Sequence, residues 1–205
     1  MHQYFLNGVE KKELYSAFIR YMINRSEEFS LVYFSYPNTR MKSSIRAIKE
    51  SLAPFQLSRK ETNIMPSMTT LNEEGGRYLL TYYRAAPDAL DILERAGSLY
   101  EWDYPMFPMD LCFFREGYAW FISSAHERWN TLYTDHPETI RELETLGLTA
   151  EPEGVINDEK LFYKDKAYRL EDFFPGLDEW EKHKKNNKIF LLASRMRRKK
   201  RGRKH

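Results

Sequence analysis

The chain of 205 residues holds 31 aromatic and 62 charged side chains but only 18 glycines and prolines, which excludes a disordered or low-complexity chain over most of its length. Its formal charge of +2 conceals a division: residues 181–205 carry 12 Lys or Arg and one acid, Glu181, whereas residues 1–180 carry 20 basic and 29 acidic side chains, a net of −9. A lone cysteine, Cys112, and no Cys-x-x-Cys pair exclude an internal disulfide and a thiolate zinc site, and point to a reducing, cytoplasmic compartment. No signal-peptide pattern opens the chain, and an apolar run such as 189–193 is far too short to cross a bilayer.

In chain order, Leu14, Ala17, Phe18, Tyr21 and Met22 recur at helical spacing and predict a helix over about residues 10–26. Residues 29–36 are β-branched and aromatic on both alternating faces, the pattern of a central strand ended by Pro37. Met41, Ile45, Ile48 and Leu52 give a second helix, capped near Asn38 or Thr39, with Lys42, Arg46 and Lys49 on its outer face. Pro54 and Pro66 punctuate a stretch that holds one or two short strands, and Gly75 and Gly76 suit a hairpin loop before a strand over 77–83. Pro87 opens a further helix that runs to Ala96 and stops at Gly97. The clearest hairpin pairs 111–114 with 118–122 around Arg115, Glu116 and Gly117. A helix over 136–146 follows, then a last hairpin of 160–163 with 167–170 and a short helical stretch near Asp172. With no internal repeat, this order fits a single α+β domain over 1–180, a mixed or mainly antiparallel sheet with helices packed on it, followed by a basic C-terminal tail over 181–205.

The wording of residues 110–127, followed by Asp135, His136, Pro137 and Glu138 and by residues 143–148, resembles small bacterial cytoplasmic proteins without an assigned activity. The resemblance covers about 39 residues, under a fifth of the chain. It implies a bacterial cytoplasmic origin and a turn joined to a helix, and marks no catalytic residue.

Four side chains around the central hairpin are the candidates for chemistry. Asp110 and Cys112 lie on its first strand, and His126 and Glu127 lie just beyond its second, so all four could converge at one end of the sheet. A thiol beside an imidazole oriented by an acid is the minimum for a cysteine nucleophile. The competing expectation is a buried Cys112 acting as a small hydrophobe among Leu111, Phe113 and Phe114. His126 and Glu127 lack metal-ligand spacing, and no glycine-rich phosphate loop occurs, so neither a metal nor a cofactor is expected. Trp102, Tyr104 and Phe107 sit in a loop held by Pro105 and Pro108 that could wall a binding groove or fold over the core.

The densest signal is the tail, where Arg195, Arg197, Arg198, Lys199, Lys200, Arg201, Arg203 and Lys204 place eight cations in ten residues. Such a density favours the phosphates of RNA or DNA through counterion release, largely without regard to sequence. A solvated tail without a partner is the alternative, and an anionic membrane surface a further one, with Ile189, Phe190, Leu191 and Leu192 inserting beside the charges. The expectation is therefore a non-enzymatic binding or accessory protein. The alternatives are an immunity-type or inhibitory protein that meets a protein partner through its acidic body, and a small cysteine-dependent enzyme.

Overall fold

A computed structural model describes residues 1–35, 41–67 and 77–173. In chain order the elements are β1 (His2–Asn7), α1 (Lys12–Arg25), β2 (Glu28–Ser35), α2 (Ser43–Leu52), β3 (Gln56–Thr62), β4 (Arg77–Arg84), α3 (Leu90–Leu93), β5 (Met109–Arg115), β6 (Tyr118–Ser124), β7 (Trp129–Thr134), α4 (Pro137–Thr145), β8 (Thr149–Val155) and α5 (Leu170–Phe173). Among the described residues the eight strands form one sheet in the order β3-β4-β2-β5-β6-β7-β1-β8, and every neighbouring pair is antiparallel. This is the expected α+β class. By internal contacts the chain divides into a unit over Met1–Lys166 and a second over Ala167–His205, ahead of the compositional change at Glu181. In the second unit α5 is closed by an Arg169–Asp172 ion pair at 3.6 Å, and Tyr168 meets Phe173 with ring centres 5.8 Å apart.

Strand alternation assigns the two faces of the sheet. One face presents Phe29 and Tyr33 of β2, Tyr83 of β4, Phe113 of β5 and Phe121 of β6. Phe29 stacks on Tyr83 at 5.2 Å and lies 6.2 Å from Phe113, and the Tyr33 and Tyr83 hydroxyls share a hydrogen bond of 2.7 Å. Helix α1 seats Phe18 edge-on against Phe121 at 5.0 Å. Helix α2 covers the β2 end with buried Ile45, Ile48 and Leu52. Helix α4 is tied alongside α1 by Glu142, which accepts from Tyr21 at 2.8 Å and pairs with Arg25 at 2.7 Å. On the opposite face Phe114 meets Tyr82 at 5.3 Å and Phe162 at 6.5 Å, so residues 161–164 cover that part of the sheet.

The helix over 10–26, the central strand and the 111–122 hairpin are all present. The hairpin turn is tighter than expected: Glu116 and Gly117 both take positive φ (52° and 79°), the two-residue geometry whose twist matches the flanking strands. Other expectations are corrected. Helix α2 starts at Ser43, with Lys42 at the cap and Met41 ahead of it, while Asn38 and Thr39 lie outside the described residues. The loop over 72–76 also lies outside them, although β3 and β4 pair antiparallel as that loop requires. The helix after Pro87 is a 3-10 turn over Pro87–Ala89 followed by the four residues of α3, and the Gly97 amide is capped by the Glu101 carboxylate at 2.8 Å.

The expected hairpin over 160–170 does not form, because its first arm pairs elsewhere. Ala119 donates its backbone N–H to Phe162, Lys164 donates its own to Gly117, and Tyr118 bridges Tyr163. That docking buries Leu161 and Phe162 and brings the Lys164 ammonium 2.6 Å from each Glu28 oxygen. Strands β1, β7 and β8 were not expected from pattern. β8 holds Pro152, Gly154 and three polar side chains, which carry no strand pattern of their own, yet it pairs with β1 from Asn7↔Thr149 to His2↔Val155 around an irregularity at Gln3/Tyr4.

Candidate functional site

Antiparallel pairing places the end of β3, the start of β5, the end of β6 and the start of β7 at one end of the sheet. Asp110 organises that end. It is 2% exposed and takes a positive φ of 56°, a conformation that Asp tolerates better than most residues. Its Oδ1 accepts from the Ala125 amide at 2.9 Å and its Oδ2 from the Ser67 hydroxyl at 2.6 Å, so one carboxyl joins the segment after β3, the start of β5 and the turn between β6 and β7. Burial pushes the Asp110 carboxyl above the ordinary carboxylate range. The hydrogen bonds from Ser67 and Ala125 and the nearby His126 work against that shift, and Asp103 adds to it.

A cleft beside this carboxyl is lined, among the described residues, by Ser67, Ser124, Glu127 and Trp129. Two hydroxyls, an exposed carboxylate and an indole suit hydrogen bonding to a polar ligand or a partner loop. Nucleophilic chemistry is poorly served. The Ser124 oxygen lies 3.5 Å from His126 Nδ1, too long for an activated hydroxyl, while His126 Nε2 meets Glu127 at 3.0 Å in open solvent.

Asp110, His126 and Glu127 thus share the sheet end foreseen for them, and Cys112 does not join them as a reactive group. It lies in the sheet interior, 1% exposed, and its thiol points to the carbonyls of Asp110 at 3.6 Å and Ser123 at 4.0 Å. Burial drives its pKa far above that of a free thiol. Such a group stays protonated and inert at neutral pH.

The aromatic loop divides in the same way. Trp102 is fully buried and hydrogen-bonded to Tyr15 at 2.6 Å, which corrects its reading as a groove wall, and Phe107 packs edge-on to it at 5.3 Å. Tyr104 is 40% exposed, with its ring edge-on to Phe34 at 5.9 Å. The cation set at 195–204 lies outside the described residues. Ser67, Ser124 and Trp129 escape sequence reasoning because Ser67 and Asp110 meet only through the sheet, 43 residues apart in the chain.

Among the described residues no group of three or more His, Cys, Asp or Glu side chains could hold a metal ion. No described helix is long and apolar enough to cross a membrane. Comparison with protein families, with curated proteins and with solved structures returns no match.

Proposed function

We propose that this protein is a non-enzymatic binding protein that holds RNA or DNA by its phosphates through residues 195–204. One observation carries the reading: eight of those ten residues are Lys or Arg, on a chain whose first 180 residues are net negative. A cationic segment attached to an acidic body gains affinity for a polyanion by releasing its condensed counterions, with little preference among sequences. The inert Cys112 and the stretched Ser124–His126 contact give the cysteine-enzyme alternative no support.

The test compares the full chain with a full-length variant whose eight cations at 195–204 are replaced by glutamine. Fluorescence anisotropy with a labelled single-stranded RNA of mixed sequence gives affinity at several salt concentrations. If the segment neutralises about six phosphates, the slope of log affinity against log salt is about −4, and the variant loses most of it. A wild-type affinity independent of salt overturns the reading. The acidic balance of residues 1–180 favours a second reading, an inhibitory or immunity-type protein that covers a basic partner. In that case partner binding survives the glutamine replacement.

A further inference from the structure

The body of the protein is acidic, yet from 41 to 60 the balance reverses: this stretch holds Lys42, Arg46, Lys49, Arg59 and Lys60 against the single acid Glu50. Helix α2 explains the arrangement. Ile45, Ile48 and Leu52 turn inward, so Lys42 and Arg46 stand on the outer side and Lys49, three residues further on, at its edge beside Tyr33. A rise of about 1.5 Å per residue spaces the backbone positions that carry Arg46 and Lys49 about 4.5 Å apart along the axis, with Lys42 at the cap just ahead of them. The first turn of α2 holds Ser43 and Ser44 and no acid, so nothing offsets the positive end of its dipole.

Neighbouring elements extend the charge. The Lys49 ammonium lies 5.5 Å over the Tyr33 ring, and its pKa is lowered by burial and by Arg59 on β3, a like charge at its side. Arg95, just after α3, donates to the Ser51 hydroxyl at 3.3 Å. Arg20, Arg25 and Lys164 are each paired with an acid, Glu94, Glu142 and Glu28, whereas Lys42, Arg46, Lys49 and Arg59 lie close together and form no ion pair with a described carboxylate. At the head of the helix Ser44 donates to the Pro105 carbonyl at 3.3 Å, which brings the 40%-exposed Tyr104 to the start of α2.

We propose that the outer side of α2, with Arg59 and Tyr104, is a binding surface for single-stranded nucleic acid, its cations on successive phosphates and the Tyr104 ring under an unpaired base. Cations tracking a backbone beside an exposed ring are how sequence-tolerant single-strand binders are built. An acidic protein would also meet the cations, but it gives a flat exposed ring no base to stack on. The inference rests on the reading of the chain as a polyanion binder and adds a second contact, on the body, independent of 195–204.

Three full-length variants are titrated with the same single-stranded RNA across a salt series: Lys42→Gln with Arg46→Gln and Arg59→Gln; Tyr104→Ala; and a control, Lys11→Gln with Lys12→Gln and Arg141→Gln, which removes equal charge elsewhere. All these positions are solvent-accessible, and an unchanged melting temperature verifies folding. The first variant flattens the salt slope by about 2, the loss of three phosphate contacts on a single strand. Tyr104→Ala weakens binding about tenfold without changing the slope, because stacking releases no counterions, and it leaves duplex DNA binding unaffected. The control stays close to wild type. If the α2 variant and Tyr104→Ala both bind as wild type while replacement of the 195–204 cations abolishes binding, this inference fails and the proposed function stands. An equal loss in the control overturns it as well, and a wild-type chain that binds no RNA overturns both.

Discussion

Trp102 donates its indole N–H to the phenol oxygen of Tyr15 at 2.6 Å, and the same phenol donates to the Leu93 carbonyl at 3.0 Å. The chain of bonds is fully buried and locks three elements together: α1, α3 and the loop before β5. Tyr15→Phe keeps the ring and removes the relay, leaving a buried N–H and a buried carbonyl without partners. The expected loss is about 2–4 kcal/mol of unfolding free energy, since each such orphan costs about 1–3 kcal/mol. Denaturant titration checks it, and a loss within experimental error would contradict this role.

Asn130 on β7 acts as a side-chain substitute for strand pairing. Its amide accepts from the Leu6 N–H and donates to the Leu6 carbonyl, both at 3.0 Å, and it also donates to the Tyr100 hydroxyl at 2.9 Å. Asn130→Leu matches its bulk and strands both Leu6 groups, so about 2–5 kcal/mol should disappear. Hydrogen exchange at the Leu6 amide should accelerate more than exchange in β2 or β5. Uniform acceleration would argue against a local role.

Ionised Asp110 works against folding, because its folded pKa is raised. A raised carboxyl contributes stability that is complete below the unfolded pKa and is lost as pH rises through the folded value. Asp110→Asn retains a residue that accepts positive φ, still receives the Ala125 amide, and can donate to Ser67. The variant's stability relative to wild type should therefore increase between the ordinary carboxylate range and neutrality. Melting curves from acid to neutral pH test the sign, and a relative stability that falls toward neutral pH would refute it.

Cys112 should ignore a disulfide thiol reagent in the native protein at neutral pH and react fully once the chain is unfolded in denaturant. Fast native labelling would mean a thiolate, contrary to its burial and raised pKa.

Lys164 and Glu28, about four-fifths buried, hold residues 161–166 to the sheet. Glu28→Gln should cost about 1–3 kcal/mol, and a double-mutant cycle with Lys164→Met should show coupling of about 1 kcal/mol or more. Zero coupling would assign the docking to Leu161 and Phe162 alone.

The elements legible in the sequence were those whose own residues state their surroundings. Phe18 and Met22 mark the inner side of α1, the two-faced run at 29–35 marks an interior strand, and Glu116–Gly117 marks a turn. The illegible ones take their structure from distant partners. β8 is Thr-Ala-Glu-Pro-Glu-Gly-Val and becomes a strand only because β1 lies beside it. The arm at 160–163 reads as half of a hairpin, and β6 claims its backbone instead. At the candidate site Asp110, His126 and Glu127 could be placed near one another through the hairpin, but Ser67 arrives by a route that no spacing encodes. For Trp102 the sequence leaves a groove wall and a cover over the core equally open, because the phenol that buries it lies 87 residues away.

The position of β1 between β7 and β8 makes one side of the sheet depend on long-range pairing. Strands β5, β6 and β7 follow one another along the chain and pair in that order. Strand β1 pairs on one side with residues up to Thr134 and on the other with residues up to Val155. Such long-range pairing is intrinsically slow. The edge of the sheet that holds β1 is therefore completed by contacts more than a hundred residues apart in the chain, whereas its centre is built from neighbours in sequence.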